Sequence, residues 1–273
     1  MTNVVIFTDL DGTLLDSAYS FQDALPALQL IREHAIPLVI CSSKTRTEIE
    51  YYREQLGNGH PFISENGGGI FIPGGYFDFE SAGMGSHVVT EGDYHIFRLG
   101  ARYGELRKAV QTLREKGFLI RGFGDMTVEE VAGITGLSLF EAQMAKKRDF
   151  DEPFVFEAAE GRSEELFLEI GRMGFHFTQG IFHHILGNSD KGRAVEVLMD
   201  LYRKTRRGLR SIALGDSPND FPMLAKADVP VLVQRANGRH AAGVAVPNIV
   251  LQEGIGPKGW GKAISRILAD IGQ

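Results

Sequence analysis

Two carboxylates one residue apart, Asp9 and Asp11 in Asp9-Leu10-Asp11-Gly12-Thr13, stand directly after the apolar run Val4-Val5-Ile6-Phe7. At i and i+2 of an extended chain both side chains point to the same side, so unpaired they repel at close range. A divalent cation relieves that repulsion, and hard oxygen ligands suit magnesium. A strand-ending turn is the plainer reading, since Asp and Gly are good loop residues. A second acidic cluster, Gly215-Asp216-Ser217-Pro218-Asn219-Asp220, follows the apolar run Ser211 to Leu214. Asp216 sits at its tip, and Asn219 and Asp220 open the next helix, where Pro218 and Pro222 cost little. A helix cap explains one acid or Ser217. It does not explain a second strand-end pair of acids.

Two further segments carry phosphate-binding chemistry. Ser42, Ser43 and Lys44 offer hydroxyls, backbone N–H groups and a cation after the apolar run Pro37 to Ile40. Asp190-Lys191-Gly192 opens a helix and brings Lys191 to its start. Helix N-termini and ammonium groups are both natural anion sites. Each lysine taken alone reads as a solvated surface residue; the four segments together reverse that.

The elements that must position these residues alternate. Val4–Phe7 reads as a strand, residues 21–33 as a helix, Pro37–Ile40 as a strand, and Thr45 as the N-cap of a helix to Leu56, with Glu48 completing a capping box. Pro61–Ser64 and Ile70–Ile72 are strands joined through Glu65-Asn66-Gly67-Gly68-Gly69, a turn and not a dinucleotide fingerprint. The rhythm resumes with a helix over Lys191–Arg203, strands at Ser211–Leu214 and Val229–Val233, one near Ile249, and a helix over Trp260–Ile271. Short apolar strands between amphipathic helices predict an α/β, doubly wound, Rossmann-like parallel sheet covered on both faces. The polar motifs then fall at the carboxyl ends of strands, where such folds bind ligands. Residues 82–187 break the rhythm and read as an inserted α+β module between core segments 1–81 and 188–273.

Composition narrows the class. Hydrophobic residues make up 43% and charged residues 23%, as in ordinary globular proteins. No apolar run approaches the ~20 residues needed to span a bilayer. The N-terminus lacks the pattern of a signal peptide. Cys41 is the only cysteine, so an internal disulfide is excluded and a reducing, cytoplasmic setting is expected. A net charge of −6 argues against general affinity for nucleic acid or anionic membranes.

The order DLDGT, Ser42, Lys191, GDSPND resembles the haloacid dehalogenase-like superfamily of phosphotransferases. That resemblance implies a phosphatase with an inserted cap like that of the sugar-phosphatase branch. It implies Asp9 as nucleophile, forming an aspartyl-phosphate, and Asp11 as the acid and base for leaving group and water. Magnesium would be held by Asp9, the Asp11 carbonyl and Asp216. Ser42 and Lys191 would hold phosphoryl oxygens, supported by Asn219 and Asp220.

The wording CSSKTRTEIE, SENGGGIFIP and RDFDEPF is similar to mannosyl-3-phosphoglycerate phosphatases. This implies a phosphorylated sugar or sugar-glycerate as substrate, mannosyl- or glucosyl-3-phosphoglycerate. Other sugar phosphates, a phosphosugar mutase or a non-catalytic phospholigand binder are the alternatives. Substrate-binding candidates are Ser43, Lys44 and Arg46 from the core, and Arg148, Glu152 and His183 from the insert. Where that family carries an Arg-rich stretch, this chain has Thr178-Gln179-Gly180-Ile181-Phe182.

Overall fold

The computed structural model describes residues 3–79, 88–157, 162–179 and 182–271. The expected boundary at 81/82 lies outside them, as do Gly180 and Ile181. The chain begins with β1 (Val4–Thr8), all of it buried, followed by α1 (Leu25–Glu33), β2 (Leu38–Cys41) and α2 (Arg46–Leu56). The expected capping box is present: the Thr45 side chain accepts from the Glu48 N–H, and Glu48 Oε2 accepts from the Thr45 N–H. Next come β3 (Phe62–Ser64) and β4 (Gly69–Pro73), then β5 (Val89–Glu91) and β6 (Tyr94–Arg98).

The middle of the chain forms α3 (Tyr103–Glu115), β7 (Ile120–Gly122), α4 (Val128–Thr135), α5 (Leu139–Ala145), β8 (Asp151–Phe156), α6 (Arg162–Arg172), β9 (His176–Gln179) and β10 (His183–Leu186). The chain then continues through α7 (Lys191–Thr205), β11 (Arg210–Gly215), a short α8 (Phe221–Leu224), β12 (Val229–Gln234), β13 (Val250–Ile255) and α9 (Gly256–Ile271).

Among the described residues, nine strands form one sheet in the order β13-β12-β11-β1-β2-β3-β4-β6-β5. From β13 to β3 every pairing is parallel, while β4, β6 and β5 add antiparallel. Strand periodicity divides the core. Val4 and Ile6 face α1, α2 and α9, packing with Ile31, Ile49, Trp260 and Ile264, whereas Val5 and Phe7 face α7, packing with Val195, Leu198 and Tyr202. Each such fully buried apolar side chain contributes ~1.5–3 kcal/mol of transfer free energy. Burial on both faces is the physical reason these strands read as continuous apolar runs.

Because β2 lies on one side of β1 and β11 on the other, the chain reverses its direction of winding at β1. Ligand crevices form at such a switch point, outside the carboxyl ends of the strands. The register there is Thr8 opposite both Ile40 and Leu214, which brings the residues after β1, β2 and β11 to one edge.

A second, antiparallel sheet, β7-β8-β10-β9, packs against α3 and α6 through Phe154, Ile185, Leu106, Val110, Leu166 and Ile170. The segment expected as an insert from residue 82 is therefore not all in this second unit. β5 and β6 hydrogen-bond onto β4 and extend the main sheet, so the second sheet with its helices occupies residues 103–186. The signal was legible: Val89-Thr90-Glu91 and Tyr94–Arg98 flank a two-residue turn with Gly92 at φ 58°, the pattern of a tight hairpin.

Candidate active site

Asp9 is the first residue beyond β1, and its N–H donates to the Leu214 carbonyl at 3.0 Å. Below it, the Thr8 hydroxyl donates to the Asp9 carbonyl at 2.8 Å and accepts from Trp260 Nε1 at 2.9 Å. The fully buried indole of α9 thus fixes the strand end from which Asp9 projects. The chain then reverses tightly, with the Gly12 N–H bonded to the Leu15 carbonyl and the Leu15 N–H to the Leu10 carbonyl. Gly12 sits at φ +76°, and a Cβ there would come within 2.9 Å of Asp216 Oδ2. Glycine alone permits both the left-handed turn and the close approach of the two acidic motifs.

Lys191, at the start of α7, reaches into the cluster and donates from Nζ to Asp9 Oδ1 and Asp220 Oδ1, both at 2.6 Å. All three side chains are buried. Burial works against the ammonium, but Asp220 and Asp9 outweigh it and raise the lysine above its ordinary range. Asp220 spends its other oxygen accepting from the Asp216 and Ser217 N–H groups, each at 3.0 Å. Thr13 Oγ1 lies 3.4 Å from Asp216 Oδ1, tying the first motif to the second.

The remaining charge is unbalanced. Burial raises Asp9 well above the usual carboxylate range; Lys191 opposes this, while Asp220, Asp216 and Asp11 add to it. Asp216 is pushed up to about 6 by burial and then by Asp220. Asp9, Asp216 and Asp220 each offer an oxygen within 4.8 Å of the others. Three buried carboxylates around one ammonium leave net negative charge in a poorly solvated place, which a hard divalent cation satisfies through oxygen ligands. With Asp220 committed to Lys191 and two amides, Asp9 and Asp216 are the side chains with capacity to ligate. The residues present fit a metal centre.

Asp11 takes a different environment. Lys44 Nζ lies 3.1 Å from Asp11 Oδ2 and 3.6 Å from Glu48, and sits 4.8 Å over the Tyr19 ring. Burial raises Asp11, and Lys44 draws it back. Its Oδ1 is buried without a hydrogen-bond partner among the described residues. Lys44, expected to reach a substrate, is thus paired with the second carboxylate of the first motif.

Ser42 is fully buried at the end of β2, its Oγ accepting from the Lys44 N–H at 3.2 Å. The Ser43 carbonyl accepts from Arg148 Nη1 at 2.9 Å, so Arg148 from the second unit does reach the core loop.

Four other expected contacts are redirected. Arg46 bonds Glu50 at 2.9 Å and lies over the Tyr94 and Phe71 rings, because as a residue on the outer side of α2 it meets the β4–β6 surface. Glu152 is fully buried and accepts from Arg107 Nη1 at 2.6 Å and the Gly124 N–H at 3.0 Å, which makes it an internal strut of the second unit. His183 stacks against Phe154 at 5.5 Å and packs among Phe156, Phe167 and Phe177, since strand alternation turns it inward. Asn219 bonds not to the acid cluster but to Asn66, Nδ2 to Oδ1 at 3.2 Å.

The turn after β3, which reads in the sequence as a plain turn, joins the core to the second unit. Glu65 and Asn66 adopt φ of +48° and +56°, uncommon for non-glycine residues. Glu65 is buried and accepts from the Asp149 and Phe150 N–H groups, both at 2.9 Å. Two polar residues amid three glycines, at a strand's carboxyl end, were the available signal.

A family model described as haloacid dehalogenase-like hydrolase matches residues 6–78 and 156–243. The chain is 43% identical over 267 residues to the glucosyl-3-phosphoglycerate/mannosyl-3-phosphoglycerate phosphatase of Methanococcoides burtonii, covering 97% of each. It is 38% identical over 250 residues to the mannosyl-3-phosphoglycerate phosphatase of Pyrococcus furiosus, covering 91% of this chain and 98% of that one. Its fold is similar to the crystal structure of a haloacid dehalogenase-like hydrolase from Bacteroides thetaiotaomicron, with a TM-score of 0.65 and 20% identity over 96% of this chain and 98% of the other. A family match over more than half the chain and relatives aligned along nearly all of it carry the same conclusion as the acid–lysine cluster: the chain belongs to the haloacid dehalogenase-like hydrolases.

Proposed function

We propose that the chain is a magnesium-dependent phosphomonoester hydrolase that works through an aspartyl-phosphate on Asp9, with mannosyl- or glucosyl-3-phosphoglycerate as substrate. The observation that carries the chemistry is the buried cluster itself. Asp9 is held by Lys191 at 2.6 Å beside Asp216, while Asp11, two residues on, is held separately by Lys44 at 3.1 Å. On this reading one carboxylate attacks and the other moves protons. The substrate reading is supported by the nearly full-length relatives of that activity.

A carboxylate nucleophile cannot approach a phosphate dianion unless cations neutralise it. Asp9, Asp216 and the Asp11 carbonyl would hold the metal, which would supply that neutralisation together with Lys191. The Asp9 carboxylate attacks phosphorus, a new Asp9–phosphorus bond forms, and the bond from phosphorus to the substrate oxygen breaks. Asp11 delivers its proton to the departing alkoxide. Asp11 then takes a proton from water, which attacks phosphorus and breaks the bond to Asp9, releasing inorganic phosphate. Splitting one difficult displacement in two lowers each barrier. Ser42 and the backbone N–H groups of its loop hold phosphoryl oxygens.

The second sheet with its helices is the cap that closes over the catalytic edge and selects the leaving group. Arg148, bonded to the Ser43 carbonyl, would meet an anionic substituent there. The test is a magnesium-dependent phosphate-release screen over phosphometabolites that includes both glycosyl-3-phosphoglycerates. Preference for these two with stoichiometric free phosphate is the expected result. Comparable turnover of many simple sugar phosphates would overturn the substrate assignment, and return of phosphate to a second sugar position would replace hydrolase by mutase.

A further inference from the structure

The antiparallel sheet of the cap has two unlike faces. Paired residues across a ladder share a face, so His183, Phe154, Ile185 and Phe177 lie on the side packed against α3 and α6. His184 is paired with Pro153 and Thr178, and Leu186 with Asp151, which puts Asp151 and His184 together on the opposite face. There Nδ1 of His184 lies 3.0 Å from both carboxylate oxygens of Asp151, which is fully buried.

The Val155 end of that face is covered by Val131 of α4 and Ala142 of α5, while its Asp151 end meets the turn after β3. Asp151 Oδ2 also lies 3.4 Å from Nδ2 of Asn66, whose Oδ1 accepts from Asn219 beside Asp220. A chain of polar contacts therefore runs from the second acidic motif, through the turn after β3, to His184. The turn itself is pressed onto the start of α7. A Cβ on Gly67 would come within 2.1 Å of the Asp190 carbonyl, next to Lys191. His184 thus stands three polar contacts from Asn219, on the cap side of the site.

A carboxylate that spans one imidazole nitrogen fixes the ring's orientation and sets the proton on that nitrogen. Nδ1 is so engaged, and among the described residues none takes up Nε2. His184 is also side-chain exposed by only 15%, so the ring is held and not waving in solvent. We propose that His184 Nε2 hydrogen-bonds an oxygen of the leaving alcohol, accepting from a sugar hydroxyl or, as an imidazolium, donating to a glycerate carboxylate, with Asp151 as the positioning residue. This inference rests on the phosphatase reading above and extends it to a specificity-determining residue.

The experiment compares H184A and D151A with the wild-type full chain on three substrates. Mannosyl-3-phosphoglycerate carries hydroxyls and a carboxylate, mannose 6-phosphate carries hydroxyls only, and p-nitrophenyl phosphate carries neither. H184A is expected to lose about 10- to 100-fold in kcat/KM on the first, chiefly through KM, with p-nitrophenyl phosphate within about twofold of wild type. D151A should lose in the same direction by less. A matching loss on mannose 6-phosphate assigns the contact to hydroxyls; a loss confined to the phosphoglycerate assigns it to the carboxylate. Equal loss on all three, or no loss on any, overturns the proposal. A wild type inactive on both glycosyl-3-phosphoglycerates defeats the substrate reading instead, and the variant ratio is then taken on the best sugar phosphate of the screen. Independently of variant folding, mannosyl-3-phosphoglycerate added to inactive D9N should shift the His184 Nε2 resonance in a nitrogen-15 imidazole spectrum. An unmoved resonance under saturation overturns the contact.

Discussion

Lys191 Nζ lies 2.6 Å from Asp9 Oδ1, although the two residues are 182 positions apart and belong to α7 and the end of β1. The same ammonium bonds Asp220 at 2.6 Å, so a single cation joins the first, third and fourth chemical motifs of the chain. The consequences for catalysis and for stability can be separated by experiment.

Replacing Asp9 with Asn keeps the size and one acceptor oxygen but removes the nucleophile. Turnover should fall by at least about 10³-fold while the folded state persists. Phosphate release and circular dichroism on the same sample check this; substantial residual turnover would sink the aspartyl-phosphate mechanism.

Chelation with EDTA should abolish turnover, and added magnesium should restore it. Magnesium should also raise the melting temperature by a few degrees, because an ion bound only by the folded state stabilises it by mass action. D216N should lose most of that thermal shift. An identical shift in D216N would remove Asp216 from the metal site.

Truncating Lys191 strands Asp9 and Asp220 without their cation in a buried place. K191A should therefore be destabilised by about 3–5 kcal/mol, the usual cost of breaking a buried ion pair from one side. Urea denaturation reads this out; a variant as stable as wild type would mean that the cluster neutralises itself by taking up protons.

Thr8 gives a cleaner test of how α9 supports the site. T8V removes the acceptor for the buried Trp260 Nε1, leaving an N–H without a partner at a cost of about 1–3 kcal/mol. T8S retains the hydroxyl and should lose far less. Equal denaturation midpoints for T8V and wild type would show that the indole finds another acceptor.

Glu65 makes stability depend on pH. Burial raises its carboxyl from an ordinary 4.5 to about 8, although Arg148 opposes the shift. Between those values the folded state holds a proton that the unfolded chain releases, so stability should fall as pH rises from about 4.5 to about 8 and level off above. The span amounts to at most a few kcal/mol. E65Q should flatten this part of the profile, as seen in urea midpoints at pH 5, 6.5 and 8. A slope unchanged in E65Q would assign the dependence to other groups.

Much of the site was legible because its chemistry is carried by local patterns. Asp9 and Asp11 follow a strand, Asp216 follows another, and Lys191 opens a helix, so strand order and the switch-point rule already bring them to one edge. The pairing of β5 and β6 with β4 was not legible, because pairing partners are a long-range choice. Nothing in residues 89–98 states that β4, rather than the second sheet, will receive them.

The same distinction holds at the level of single side chains. His183 and His184 are adjacent and chemically identical, yet strand alternation sends the first among phenylalanines and the second to Asp151. Lys44 and Arg46 are similar cations two residues apart, and one pairs with Asp11 while the other lies over Tyr94. The amino-acid sequence by itself determined the class of chemistry, since residue types at strand and helix ends are local and carry their reactivity with them. Only the tertiary structure decided which charges meet and which side chains make contact between the two units, because partner choice depends on register and packing between segments far apart in the chain.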